Sequence, residues 1–309
     1  MRIRDFLMDT FSLYQRPFNW LIDRWNFARY FAIPVHSYYS IQYFGVPTDS
    51  HHDLRDELRS WEQTIGIWEN GEGDIVGVVH SANEEAGEAF VQIHPDYTFL
   101  YDEMVTYIEE HLADRVGNIG YVKLYVNEGT ELEQIAENRG YRKLKFGIPH
   151  HEYTITGFQE PHLPPGFVIK SVLEEDDIEG RRRAKSIAFG RHYGPSEWPP
   201  ARAYRELEHA PDYRKDLDLF IVAPDGEYVS FCTIWIDRKN RYGNFEPVGT
   251  HAEYQGMGLG RALLMEGFNR MAQYGVTRSF MDSTNEFYRN IGFERTPYTY
   301  YPWIKYFTV

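Results

Sequence analysis

The sequence predicts a mixed α/β (α+β) chain built as two like halves, and three observations carry that expectation. Strand-type runs joined by hairpin turns alternate with amphipathic helical patterns along the chain. A stretch in which prolines accumulate and the periodicity stops, Gly157-Phe158-Gln159-Glu160-Pro161-His162-Leu163-Pro164-Pro165-Gly166, reads as a linker dividing residues 1–157 from 158–309. Landmarks of the first half recur in the same order roughly 150 residues later, as two copies of one fold require. Gly73-Asp74 falls on Gly226-Glu227, His94-Pro95-Asp96-Tyr97 on His251-Ala252-Glu253-Tyr254, and Asn138-Arg139-Gly140-Tyr141 on Asn290-Ile291-Gly292-Phe293.

Taken in order, residues up to Thr10 suggest a short first strand, and Phe18 to Tyr30 has helix composition. A charged amphipathic helix is expected over Leu54 to Glu62. Thr64–Trp68 and Ile75–Val79 flank Asn70-Gly71-Glu72-Gly73 as a hairpin. A strand at Ala89–Ile93 leads into a helix from about Leu100 to Leu112, then a strand at Tyr121–Val126 and a helix through Ile135 ending at Gly140-Tyr141. Beyond the linker come a strand from Phe167 to Lys170, an arginine-rich helix from Asp176 to Phe189 and another from Trp198 to His209. Leu219–Val222 and Tyr228–Ile236 form a second hairpin around Pro224-Asp225-Gly226-Glu227. The tail aromatics Tyr298, Tyr300, Tyr301, Trp303, Tyr306 and Phe307 read as last strands and their core contacts, with an acceptor-pocket lining as the second reading.

Composition sets limits on function. A formal charge of −14 makes nonspecific association with nucleic acid or an anionic membrane unfavourable and favours cationic partners. Hydrophobic residues at 42% are compatible with globular folding, and 17% aromatics suggest bulky cores or aromatic-lined pockets. The single cysteine, Cys232, lies in the apolar run from Val229 to Trp235 and is expected in the core. No apolar signal core follows Met1-Arg2-Ile3-Arg4-Asp5, and no uninterrupted apolar run approaches membrane-spanning length. The aromatic segment from Phe27 to Phe44 is interrupted by Arg29, Pro34 and His36. A cytoplasmic protein without membrane contact is expected. His51-His52-Asp53 and His150-His151-Glu152 lack the spacing of a zinc site and read as loop histidines, so no metal is expected.

Chemistry concentrates in the stretch from Glu246 to Leu264, which reads as strand, glycine-rich turn and helix start. Gly256, Gly258 and Gly260 leave backbone N–H groups unshielded, and the following helix adds its unpaired first-turn donors and dipole. Leu264, Phe268, Met271 and Ala272 recur at the spacing of one buried helix face. The third glycine of a dinucleotide fingerprint is replaced by Arg261, and no Walker Lys-Ser or Lys-Thr pair follows. Gln255-x-x-Gly258-x-Gly260 resembles the acyl-CoA loop of the GNAT superfamily of N-acyltransferases. Asn285-Glu286-Phe287-Tyr288-Arg289-Asn290-Ile291-Gly292-Phe293 resembles the second signature of that family.

The resemblance implies two tandem GNAT-like domains, each a mixed, mostly antiparallel central sheet flanked by helices. It implies acetyl-CoA as acyl donor, with backbone N–H groups across Gly256, Met257, Gly258, Leu259, Gly260 and Arg261, after Gln255, on the pyrophosphate. It also places the strand backbone of Val248, Gly249 and Thr250 against the pantetheine arm, which Asn285 contacts. Tyr288 matches the proton donor to the departing thiolate, a role suited to a phenol of reference pKa about 10. Glu246 stands where family members carry a base for the incoming ammonium. His251 competes for that role, but His94 persists at the matching position of the first half, which favours a structural role for both.

The first half carries Thr98-Phe99-Leu100-Tyr101-Asp102-Glu103 in place of the glycine loop, with two acidic side chains expected where a phosphate would lie, and Ala136 in place of Tyr288. It resembles a degenerate copy without a donor site. The expected function is N-acetyl transfer to a primary amine of a small, cationic acceptor, entering between the halves where Asp102 and Glu103 become available if that face turns inward. A homo-oligomer is compatible with the sequence. The other reading is a non-catalytic acyl-CoA-binding regulatory protein, which has no need of Tyr288 with Glu246.

Overall fold

The computed structural model describes residues 2–10, 63–81, 85–190, 201–208 and 212–308. The helices expected over Phe18–Tyr30 and Leu54–Glu62, the aromatic segment Phe27–Phe44 and His51-His52-Asp53 lie outside the described residues.

The chain begins with a helix, α1 (Arg2–Thr10), where the sequence suggested a strand. Phe6 is buried against Val78, Tyr242 and Phe280, with Ile3 and Met8 half-buried beside it. Apolar positions at helical spacing, docked on a ready surface, outweigh the local strand preference. The expected hairpin follows as β1 (Gly66–Glu69) and β2 (Ile75–His80), paired antiparallel. Its turn closes because the Asn70 side-chain oxygen accepts the N–H groups of Glu72 and Asp74 at 2.9 and 2.8 Å. Next come β3 (Glu88–Ile93), α2 (Tyr101–His111), β4 (Asp114–Val116), β5 (Ile119–Asn127) and α3 (Glu131–Asn138). The three-residue β4 is too short to leave a sequence period.

The strands β6 (Arg142–Lys143) and β7 (Ile148–Thr154) precede the linker, which has no regular structure. His150 and His151 lie inside β7 and are buried, a correction to their reading as loop histidines. Alternation along the strand puts His150 against Phe280, ring centroids 4.9 Å apart, and aims His151 at the opposite face. After the linker come β8 (Val168–Ser171), α4 (Ile178–Ala188), α5 (Ala201–Leu207), β9 (Asp218–Val222), β10 (Tyr228–Asp237) and β11 (Tyr242–Thr250). Asp177 caps α4 by accepting the Glu179 N–H. The chain ends with α6 (Leu259–Gln273), β12 (Arg278–Asp282), α7 (Glu286–Ile291) and β13 (Glu294–Thr308), the last containing the aromatic tail.

All described strands join one mixed sheet in the order β1-β2-β3-β5-β13-β7-β12-β11-β10-β9-β8, with β4 and β6 alongside β5 and β13. The sheet crosses the linker by exchange. Strand β7, before the linker, pairs with β12, while β13, at the chain end, pairs with β5. The two crossing strands then pair with each other, Glu294 opposite Glu152 and Tyr300 opposite Ile148. The exchange is reciprocal, since β6 pairs with the far part of β13 as the start of β13 pairs with β7.

Two apolar cores lie on either side of this crossing. One gathers Met104, Val105 and Ile108 of α2 over β2, β3 and β5, with Ala136 fully buried. The other packs Leu263, Leu264, Phe268 and Met271 of α6 over Ile221, Cys232, Ile234 and Phe245. Ala272, expected on the same helix face, is exposed. The buried arc runs through Leu263, Gly267 and Met271, and a residue one step past Met271 turns out of it at 3.6 residues per turn.

Landmark geometry repeats on both sides. His94 and His251 each accept, through Nδ1, the N–H two residues on, from Asp96 at 3.2 Å and Glu253 at 3.1 Å. Each ring meets a tyrosine edge at 5.6 Å and 83°, Tyr97 in one case and Tyr254 in the other. Both histidines therefore close the turn before a helix, which is structural work. The strand splits repeat too: β3 pairs with β5 in parallel only at Glu88-Ala89, and β11 with β12 only over Tyr242–Asn244.

Candidate functional site

Beyond Asn244, β11 leaves β12 behind while staying paired with β10 up to Thr250. Its last residues therefore present backbone on one side to an open wedge. A β-bulge assists: Cys232 pairs with Val248 and Ile234 with Phe245, so Glu246 and Pro247 together stand opposite Thr233. Before the bulge Phe245 packs into the α6 core, and after it Val248 does, three positions on. An alternating strand would have put Val248 on the other face.

At the end of β11, His251 closes a turn of 3₁₀ helix, Ala252–Tyr254, and the chain enters the glycine loop. Gly256 and Gly258 have φ of 79° and 82°, a region in which side-chain-bearing residues are strained. Gly258 caps α6 without a side chain, and the first intrahelical bond is from the Ala262 N–H to the Gly258 carbonyl at 3.0 Å. The N–H groups of Leu259, Gly260 and Arg261 are thus the orphan donors of the first turn, next to the positive end of a fifteen-residue helix.

These parts enclose a cleft of about 520 Å³ lined by Val248, Gly249, Thr250 and Gln255 from the strand side, by Gly256, Gly258, Leu259, Gly260 and Arg261 from the loop, and by Asn285 and Tyr288 from α7. Asn285 caps α7, its side-chain oxygen accepting the Phe287 N–H at 2.9 Å. Gln255 donates to the Thr250 carbonyl at 3.2 Å, and the Arg261 guanidinium donates to the Asn290 carbonyl at 3.0 Å, tying the loop to α7. Two expected residues lie outside the lining: Met257, whose side chain is exposed, and Glu246, two residues back along β11.

Sequence reasoning missed Tyr254 and Phe287, which also line the cleft. Each adjoins a motif residue, and that adjacency was the only available signal. Phe287 sits under Gly260, where a Cβ would come within 3.1 Å of its ring. Also missed was a buried ionic group beneath the bulge, formed by Arg181, Lys185 and Asp218. The arginine-rich pattern of α4 hinted at it without saying which cations turn inward.

Tyr288 is half-buried against the α6 core, its ring 5.1 Å from Phe287 and 5.9 Å from Phe293. Burial, and then the negative charge of Glu246, push its pKa well above that of a free phenol, so it holds its proton. Glu246 fixes its own strand through its carbonyl, which accepts the Trp235 indole N–H at 2.8 Å. Cys232 is fully buried and kept as a thiol by desolvation.

At the start of α2 the acidic side chains are paired. Asp102 is paired with Arg139 at 2.7 Å, and Glu103 accepts the Trp68 indole N–H at 2.8 Å. Arg139 also donates to the Asp102 carbonyl and to Thr106, tying the end of α3 to the start of α2. Both carboxylates thus have partners from residues before the linker, and Asp102 stays largely exposed. Among the described residues no group of three or more His, Cys, Asp or Glu side chains could hold a metal ion, and no helix is long and apolar enough to cross a membrane.

Residues 186–293 match the family described as acetyltransferase (GNAT) family. A mycothiol acetyltransferase from Paenarthrobacter aurescens is 29% identical over 145 residues, 43% of this chain and 44% of that protein. The chain therefore spans less than half the length of this curated relative in the match. A GCN5-related N-acetyltransferase from Sphaerobacter thermophilus has a similar solved structure, with TM-score 0.57, 20% identity and coverage of 92% of this chain and 94% of that one. A tandem GNAT protein from the clavulanic acid biosynthesis pathway aligns with TM-score 0.56 at 12% identity, covering 92% and 94%. The fold is GNAT-like, a mixed α/β fold with a central mixed sheet and flanking helices. The stretch that holds the glycine loop and α7 is thus the part of the chain similar to the acetyltransferase (GNAT) family.

Proposed function

We propose that the chain is an acetyl-CoA-dependent N-acetyltransferase working at the cleft between β11, the glycine loop and α7, on a primary amine of a small, cationic acceptor. The observation that carries this reading is the convergence, in one cleft, of a split parallel strand pair, the orphan donors of α6 and a half-buried, protonated tyrosine. An anchored donor, a polarised carbonyl and a proton for the leaving thiolate are what acyl transfer from a thioester requires.

In this reading the N–H groups from Gly256 to Arg261 receive the pyrophosphate, and the free edge of Val248, Gly249 and Thr250 pairs with the pantetheine arm and polarises the thioester oxygen. Asn285 borders that arm. Glu246, on the strand just before the cleft, takes the proton of the incoming ammonium through water, and the neutral amine attacks the thioester carbon. The C–S bond breaks as the tetrahedral intermediate collapses, the Tyr288 hydroxyl gives its proton to the departing sulfur, and the proton left on the amide nitrogen returns through water to the Tyr288 phenolate. The group is protonated beforehand because its pKa, raised by burial, lies well above neutral pH.

We further propose that residues 1–157 and 158–309 are two copies of one fold, the first without a donor site. Reciprocal strand exchange, twin histidine turns and two split strand pairs support this. In the first copy Ala136 stands in the place of Tyr288, and a 3₁₀ turn runs directly into α2, the Tyr101 N–H donating to the Thr98 carbonyl, where the second copy has the glycine loop. The acidic surface favours a cationic acceptor. The test is release of thiol from acetyl-CoA with a panel of polyamines, aminoglycosides, amino acids, short basic peptides and mycothiol-type amines at low and high salt. Acetylation of small cationic amines, weakened by salt, is the expected result; acetylation of peptides alone, or indifference to salt, overturns the acceptor assignment. No thiol release with any amine would favour the donor-binding regulatory alternative.

A further inference from the structure

The bulge of β11 has a buried support on the face away from α6. Thr233 stands opposite the two extra residues, Glu246 and Pro247, and directly across from Asp218 on β9. Its hydroxyl donates to Asp218 Oδ1 at 3.0 Å and accepts from Lys185 Nζ at 3.5 Å. The other carboxylate oxygen of Asp218 takes Arg181 at 2.7 Å and the Tyr213 hydroxyl at 2.9 Å. Thr233, Asp218, Lys185 and Arg181 are all at most 4% exposed. Charges buried this deeply are costly unless their geometry is fixed, and a fixed geometry is what they impose on neighbours.

The same lysine reaches the cleft strand by a second route. Its ammonium lies 5.5 Å from the centre of the Phe231 ring, and that ring abuts Gly249, where a Cβ would come within 2.6 Å of it. Gly249 lines the cleft. Thr233 and Phe231, on one face of β10, thus bear on β11 at two successive points, the bulge and the cleft edge.

We infer that Lys185, Thr233 and Asp218 form a positioning device, in which Thr233, held from both sides, keeps the β11 bulge in place and with it the direction of Glu246 and the backbone of Gly249. The inference rests on the proposed acyl-transfer site for its functional consequence, but the device itself is a property of the fold. Desolvation lowers the pKa of Lys185, and Lys185 and Arg181 hold the Asp218 pKa down. The hydroxyl between them is the one member that can be removed without burying a new charge.

Thr233→Val removes that hydroxyl at nearly constant volume, and Thr233→Ser restores it. The device predicts that Thr233→Val lowers kcat/KM for the acceptor about tenfold or more and is rescued by Thr233→Ser. Amide hydrogen exchange at Phe245, Glu246 and Val248, measured without acetyl-CoA, accelerates about tenfold in Thr233→Val only. Lys185→Met follows Thr233→Val in both readings. Should wild type transfer no acetyl group, the functional reading fails and exchange alone decides the positioning role. Wild-type exchange at Phe245, Glu246 and Val248 in folded Thr233→Val, or equal losses in the Val and Ser variants, overturns the inference.

Discussion

Replacing Tyr288 by phenylalanine separates chemistry from binding. The ring contacts with Phe287 and Phe293 do not involve the hydroxyl, so packing against the α6 core persists and stability changes little. The proton for the departing thiolate is lost. General-acid assistance is worth about 100-fold to 10,000-fold in rate, or about 3–5 kcal/mol of transition-state stabilisation. Because burial and the nearby Glu246 charge raise the pKa of Tyr288, the wild-type phenol stays protonated through an ordinary assay range, and kcat shows no basic loss from this group up to about pH 9. Steady-state thiol release gives kcat, and calorimetry gives acetyl-CoA affinity. Expected for Tyr288→Phe are a kcat at least about 100-fold lower and a Kd within about twofold of wild type. A kcat within about threefold of wild type, or a Kd that rises in step with the loss, would refute the proton-donor assignment.

Three further outcomes follow from the same geometry. For Glu246→Gln the rate loss is greatest at low pH, where few amines are already neutral, and shrinks as pH rises; a pH-independent loss in the rate profile reassigns Glu246 to acceptor positioning. Gly267→Ala adds a methyl 2.3 Å from a ring carbon of Phe245 where α6 crosses β11, and overpacking of this kind costs about 1–3 kcal/mol, seen as a lower Tm. His150, buried beside Phe280 and His151, has its pKa lowered to about 3 by desolvation and its neighbour's charge. The unfolded state then binds the proton that the folded state refuses, so stability falls with acid from the ordinary histidine range downward, by about 2 kcal/mol between pH 7 and pH 5. Urea titrations at the two pH values should show this, with the slope reduced in His150→Gln; an unchanged slope removes His150 as its source.

Where periodicity and turn chemistry agreed, the elements were legible from sequence: both hairpins, α2, α4 and the strand-loop-helix around Gly258 lie where those signals put them. The cleft was legible because its parts are consecutive, so one stretch contains strand, loop and helix start. What local pattern could not give is what non-local pairing decides. The exchange of β7 and β13 places Glu152 beside Glu294, far apart in sequence, and no period in either strand names its partner. The helix at Arg2–Thr10 depends on Tyr242 and Phe280 for its docking surface, and Asp102 depends on Arg139 for its orientation. Thr233 is an ordinary strand residue until the bulge opposite it is counted.

The central claim is one donor site, in the second half, built on the glycine loop. Calorimetric titration with acetyl-CoA tests it most directly, using wild type and Gly258→Glu. Gly258 has φ of 82° and caps α6, so glutamate there both strains the turn and sets an anion among the orphan donors. A stoichiometry near one for wild type, with binding lost in folded Gly258→Glu, is the predicted result. Two equivalent sites, or undiminished affinity in the variant, would contradict it.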